Sequence, residues 1–238
     1  MSDPTRTETV TVDAGSFDLH VWTPDQGSGP GVLLIQEIFG VGEYIREVAA
    51  RLARAGYVVA APDLFWRIAP GWAAVHDEAG MAGSFEMVQQ FDIETGIADA
   101  IASLAALRAL PETKGGSGVL GFCLGGTVAH LVAAAGDPDA IVSYYGSGVA
   151  ASVDQMPSIT CPALYHFGGN DPFIPTADID TVVAAAEADD RGLLRVEVQP
   201  QAGHAFDNHK AAMFHDANAA AAAWAITSTF LAEHLHST

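Results

Sequence analysis

Two continuous apolar runs constrain this chain most: Gly31-Val32-Leu33-Leu34-Ile35 and Tyr57-Val58-Val59-Ala60-Ala61. A strand without polar alternation has no face to give to water, so it has to be covered on both sides. Between the two runs, residues 44–55 space Ile45, Val48, Ala49 and Leu52 at helical intervals and stop at Gly56. The same alternation repeats along the chain. Strands are predicted at 117–122, 140–145, 163–167 and 193–199, with helices at 91–110, 124–135, 176–188 and 211–234. Ahead of them, 8–12 and 17–22 read as two short strands around the turn Asp13-Ala14-Gly15. Alternating strands and helices imply an α/β fold, a mostly parallel central sheet with helices on both faces.

The 238 residues carry no Pro/Ser-rich linker, no fixed-period repeat and no abrupt charge shift, so a single domain over 1–238 is expected. Half the residues are hydrophobic, yet no apolar run approaches the roughly 20 residues of a membrane span. The opening Met1-Ser2-Asp3-Pro4-Thr5-Arg6 lacks the apolar core of a secretory signal. A cytoplasmic protein without a membrane partner is the expectation. The formal net charge of -19 repels phosphate backbones and argues against a nucleic-acid partner. Cys123 and Cys161 are expected to be free thiols.

Residues 64–90 break the alternation. They hold Phe65, Trp66, Trp72, Met81, Phe85 and Met87 without clean periodicity, interrupted by Gly71, Gly80 and Gly83. One reading is an irregular excursion whose aromatics fill core gaps. The favoured one is a flap over a pocket, because it follows the carboxyl end of a strand, where open α/β sheets bind ligands.

Chemistry concentrates in Gly121-Phe122-Cys123-Leu124-Gly125, set between a predicted strand and a small-residue helix. This is the G-x-S-x-G nucleophile elbow with cysteine in place of serine. The helix N-terminus behind it favours a thiolate and a developing oxyanion. An elbow nucleophile needs an acid and a base later in the chain. Asp171 follows a predicted strand in Phe167-Gly168-Gly169-Asn170-Asp171-Pro172, and His204 follows the last strand in Gln201-Ala202-Gly203-His204-Ala205-Phe206. Each alone is ordinary, but the ordered set on three strand-to-helix loops is hard to obtain by chance. Glu37, in Gln36-Glu37-Ile38-Phe39-Gly40, would sit at the pocket mouth, and the backbone N–H groups of Ile38 and Leu124 would form the oxyanion hole.

The other histidines carry less. His76, His209, His215, His234 and His236 lack metal-ligand spacing and are expected to be solvated, whereas His130 and His166 are expected to be structural. Cys161 is expected to be an inert buried thiol. Gly125-Gly126-Thr127 lacks the lysine of a phosphate loop, so no metal and no cofactor are expected.

Together, the segments Q-E-I-F-G, P-D-L, G-F-C-L-G-G, G-x-x-D-P-x-I-P and G-H-x-F resemble the dienelactone hydrolase (carboxymethylenebutenolidase) family of the α/β-hydrolases, from about Gly31 to Phe206. The resemblance implies an α/β-hydrolase fold, and an enzyme that cleaves lactones or esters through a thioester on Cys123. His204 would be the base, Asp171 the orienting acid, and Glu37 a carboxylate that helps deprotonate the thiol. It also implies two substrate-gripping arginines, and counting from Phe91-Asp92 and from His204 puts Met81 and Asn208 at those positions. Arg67 and Lys210 are the nearby cations that could substitute. A carboxylate in an apolar pocket without a cation is unfavourable by several kcal/mol, so a shift toward neutral, more apolar esters or lactones is expected. The substrate-binding set expected is Phe39, Trp66, Arg67, Met81, Phe85, Phe173 and Asn208, with Trp72 also near the mouth. The partner implied is a small ester or lactone, and the protein a monomer or small homo-oligomer. A general carboxylesterase and a non-catalytic ligand-binding relative are the alternatives.

Overall fold

The computed structural model describes residues 2–236; the outermost positions of the expected 1–238 domain, residues 1, 237 and 238, lie outside the described residues. The strands are β1 (Arg6–Val12), β2 (Gly15–Trp22), β3 (Gly29–Ile35), β4 (Val58–Pro62), β5 (Thr113–Phe122), β6 (Ile141–Tyr144), β7 (Ala163–Gly168) and β8 (Leu194–Gln199). The helices are α1 (Glu43–Arg54), α2 (Glu78–Gln90), α3 (Ile93–Ala109), α4 (Leu124–Ala135), α5 (Thr176–Glu187) and α6 (Ala217–Leu235), with a 3-10 segment at Ala150–Ser158.

All eight strands form one sheet in the order β1-β2-β4-β3-β5-β6-β7-β8. β1 and β2 pair antiparallel, as does β2 with β4, and every pair from β4 through β8 is parallel. Contacts of α3 with α4, and of α4 and α5 with the 3-10 segment, put these on one face. α1 and α6 share the other, where the Arg51 guanidinium lies 3.7 Å from the Trp224 ring centroid. The apolar runs read from the sequence become strands covered on both sides: Val32, Leu33, Leu34, Ile35 and Val58, Val59, Ala60, Ala61 are all fully buried.

The chain leaves β3 toward β4 on one side and returns to β5 on the other, so a crevice opens at the carboxyl ends of β3 and β5. Local backbone tightness gathers there. Among the described residues, the non-glycine positions with positive φ are Cys123 (54°), Tyr145 (39°) and Ala205 (52°), which follow β5, β6 and β8. Such conformations persist only where surrounding packing enforces them. Around Cys123 the packing leaves no room for side chains. A Cβ on Gly121 would stand 1.9 Å from the Gly125 carbonyl oxygen, and one on Gly125 2.5 Å from the oxygens of Ile35 and Gln36.

Two helix starts differ from the sequence reading. α3 begins at Ile93 because Phe91 is extended and the Asp92 side chain accepts from Thr95 N–H, capping the helix. The final helix begins at Ala217 rather than near 211. Asp216 accepts from the N–H groups of Asn218 and Ala219, and this cap overrides the alanine propensity upstream. Residues 211–216 therefore form turns, and several of them reach the crevice.

Candidate active site

A cavity of about 420 Å³ opens over the carboxyl ends of β3 and β5. Cys123 reaches it from the elbow, as the N-cap residue of α4, half-buried. His204 and Asp171 arrive on the loops after β8 and β7. His204 Nδ1 donates to Asp171 Oδ2 at 2.7 Å. The other carboxylate oxygen, Oδ1, accepts from the N–H groups of Phe173 at 2.8 Å and Ile174 at 3.1 Å, which fixes the orientation of Oδ2. With Nδ1 engaged, Nε2 is the ring nitrogen left to serve a substrate or thiol. The rings of Tyr145 and Phe173 each lie 5.1 Å from that of His204 and hold it in place. Burial opposes a charge on His204, but the Asp171 hydrogen bond and the neighbouring Cys123 outweigh it, and the pKa is raised to about 10.

Glu37, only 4% exposed at its side chain, borders the same cavity. Asn208 Nδ2 donates to its two oxygens at 3.0 and 3.1 Å. His76 Nε2 makes a hydrogen bond with Oε1 of the same carboxylate. His76 is thus no solvated histidine: its side chain is 8% exposed and its ring lies 4.0 Å from that of Phe39. Spacing within the excursion gave no signal for it, because its partners come from the β3–α1 loop and from position 208. Ile38 and Leu124 also line the cavity. Leu124 is the first residue of α4, where an N–H has no intrahelical acceptor.

The remaining walls are apolar: Phe39, Met81, Phe85, Val88, Phe173, Met213 and Phe214. Phe85, Phe173 and Met213 are exposed at the rim. The stretch 64–90 contributes through α2 and His76, while Met213 and Phe214 come from the turns before α6. Neither of those two was anticipated, since the alanine-rich run concealed the turns.

Phe39, Met81, Phe85, Phe173 and Asn208 lie on the cavity as expected, but Trp66, Arg67 and Trp72 do not. Arg67 pairs with the buried Asp99, its Nη2 donating to Oδ1 at 3.1 Å, and Trp66 Nε1 donates to the same carboxylate at 2.9 Å. Trp66 also stacks on Phe17. A buried carboxylate on α3 draws both side chains under the sheet edge instead of toward the pocket. The Trp72 ring packs close to Gly40 and Gly83. Lys210 does border the cavity, yet its Nζ lies 2.7 Å from Glu43 and 3.0 Å from Glu47. His209 and His215 also make specific contacts, with Glu47 at 2.7 Å and with the Phe206 carbonyl at 3.0 Å.

His130 and His166 are fully buried, and burial pushes His166 down to about 3. The buried Cys161 thiol is pushed up to about 11 by burial, as befits an unreactive cysteine. Among the described residues no helix is long and apolar enough to cross a membrane.

The sequence model of the dienelactone hydrolase family matches residues 17–235. A carboxymethylenebutenolidase of Pseudomonas putida is 37% identical over 82% of this chain and 82% of its own. One from Pseudomonas sp. strain P51 is 38% identical over 76% of this chain and 78% of its own. The crystal structure of a dienelactone hydrolase-like promiscuous phosphotriesterase from metagenomic libraries superposes with a TM-score of 0.80 at 25% identity, covering 97% of this chain and 98% of that one. With a family model that matches residues 17–235 and a relative 37% identical over 82% of its length, the chain belongs to the dienelactone hydrolase family.

Proposed function

We propose that this protein hydrolyses esters or lactones through a thioester on Cys123, with a preference for neutral, apolar substrates. The observation that carries the reading is the strained cysteine at the N-terminus of α4, facing a cavity also lined by His204, which is paired behind it with the buried Asp171. A thiolate there is favoured by the helix dipole and by an imidazolium alongside.

In this mechanism the Cys123 thiolate attacks the substrate carbonyl. The N–H groups of Ile38 and Leu124 receive the negative charge on oxygen. The leaving group departs as alkoxide or enolate, His204 gives up its proton once the thiolate is gone, and it then activates water against the thioester. Glu37 is the accessory carboxylate of the site. With these groups alone, activated esters and enol lactones suit the nucleophile best and amides do not.

The substrate preference rests on charge. The two positions where the family resemblance implies a cation hold Met81 and Asn208, Arg67 is turned onto Asp99, and Lys210 is held by Glu43 and Glu47. The carboxylate of Glu37 would further repel an anionic substrate. Aromatic and methionine side chains instead offer apolar surface to an aryl or alkyl arm.

Mass spectrometry of the protein quenched during turnover of a neutral aryl ester tests the nucleophile. The expected result is an acyl adduct on Cys123, absent in Cys123→Ala, which loses turnover. Full activity in Cys123→Ala would end the proposal.

A further inference from the structure

His76 stands in a position that the reaction as written leaves unused. It borders the catalytic cavity, and it also borders a second groove of about 440 Å³ lined by Ser2, Asp3, Glu43, Arg46 and Lys210. It is therefore part of the wall between an apolar chamber and a more polar groove. Its Nε2 faces Glu37 Oε1, and Asn208 Nδ2 lies 2.9 Å from the same nitrogen.

Hydrogen-bond chemistry constrains this contact. A bare imidazole nitrogen and a carboxylate oxygen are both acceptors, so they approach to bonding distance only with a proton between them. Either His76 Nε2–H donates to the carboxylate, or a protonated Glu37 donates to Nε2. A neutral Nε2–H imidazole satisfies the contact without a transferable proton; with His76 as the imidazolium, or with Glu37 protonated, the pair holds one mobile proton inside the cavity. The Asn208 amide, by donating to both carboxylate oxygens, keeps that carboxylate against the imidazole.

We propose that His76 and Glu37 form a second acid–base pair that protonates the leaving alkoxide, extending the substrate class to alkyl esters. The inference rests on Cys123 being the nucleophile. As the carbon–oxygen bond breaks, the alkoxide takes the proton from the pair and departs as a neutral alcohol, leaving the pair short of one proton. Water in the outer groove restores it through His76. His204, no longer facing a thiolate once the thioester has formed, releases its own proton to solvent and becomes the base that draws a proton from the attacking water. The thiolate then leaves beside a charged His204, and the protons balance. The charged groups around His76 besides Glu37 are Lys210, shared by both chambers, and Asp3, Glu43 and Arg46 in the outer groove.

The test is a leaving-group series at constant acyl group, from nitrophenyl through phenyl to ethyl esters. It is run on the wild type, His76→Gln, Glu37→Gln and the double variant, with thermal unfolding followed for each. Glutamine at 76 can still donate an N–H to Glu37 but holds no mobile proton. His76→Gln is expected to lower kcat for ethyl esters by about 100-fold, the usual scale of general acid catalysis, and to leave nitrophenyl esters nearly unchanged. Glu37→Gln should steepen the dependence likewise, on top of a loss common to all esters from its place as accessory carboxylate, with the double variant no steeper than either single one. If His76→Gln does not fold, Glu37→Gln carries the comparison alone. A loss equal across all leaving groups would mark His76 as mere wall and overturn the proposal. So would a wild type that cleaves nitrophenyl esters but not alkyl ones. Failure of the underlying reading is seen separately, as absence of an acyl adduct on Cys123 with the nitrophenyl ester.

Discussion

Asp171 Oδ2 accepts from His204 Nδ1 at 2.7 Å, while its second oxygen is occupied by two backbone amides. The acid is fully buried and the imidazole nearly so, so the bond is shielded from competing water. Asp171→Asn keeps the shape and permits the wrong tautomer of His204. We expect kcat for a neutral aryl ester to fall by at least about 100-fold, with KM within a few-fold. Steady-state kinetics on the purified variant would show it, and an unchanged kcat would contradict the role.

The raised pKa of His204 has a consequence for stability. Its value of about 10 in the folded protein, against a reference of 6.5, means that the native state holds the proton more tightly than the unfolded chain. The stabilisation is complete below about pH 6.5 and is lost as the pH rises through about 10. Urea unfolding should therefore show stability declining across that window by at most a few kcal/mol. His204→Gln should flatten the decline, and a variant as steep as the wild type would refute the assignment.

Charge at position 81 should govern what the cavity accepts. The wild type is expected to favour neutral aryl esters over an anionic dienelactone in kcat/KM. Met81→Arg would place a guanidinium on the wall and should raise kcat/KM for the anionic substrate by about tenfold or more, as expected for a charge-assisted contact. A strong wild-type preference for the anionic lactone would sink the idea of an apolar specificity.

Arg67 is a structural residue in this account. Asp99 is 2% exposed at its side chain and accepts from both Arg67 and Trp66. Arg67→Ala leaves that carboxylate short of its counter-ion, and we expect a loss of about 3 kcal/mol in chemical denaturation. KM for any substrate the enzyme takes should not move. A large rise in KM without loss of stability would return Arg67 to the substrate.

Gly121 is expected to be intolerant for a steric reason. An added methyl group would stand 1.9 Å from the Gly125 carbonyl oxygen. Gly121→Ala should cost about 1–3 kcal/mol and displace the elbow, so that activity falls further than stability does. Normal turnover in this variant would show that the elbow tolerates a side chain at position 121.

Much of this architecture was readable from the chain, and the exceptions have physical causes. Strands such as 31–35 and 57–61 announced themselves because burial on both faces leaves an unbroken apolar run. Cys123, Asp171 and His204 were legible as candidates because strand ends and glycines place them on the loops after β5, β7 and β8. Arg67 was misread because its partner, Asp99, lies on a helix that is remote in sequence. His76 was passed over for the same reason, its hydrogen bonds being to residues 37 and 208. Met213 and Phe214 were hidden by an alanine-rich run in which Asp216, and not propensity, sets the start of the helix. Local pattern tells which residues are buried, but not which distant side chain a polar group will meet.

The cavity's apolar surface hangs largely on segments outside the sheet: α2, the loop at Phe173 and the turns before α6. The elbow and the His204–Asp171 pair instead sit on strand ends that the whole core holds rigid. Apart from Phe173, which shares its loop with Asp171, and His76 on the excursion, the apolar wall and the proposed catalytic groups thus stand on separate material. Changes in the wall can accumulate at small cost to the strand ends, so this chain is a suitable parent for selecting new ester specificities while Cys123 is left untouched.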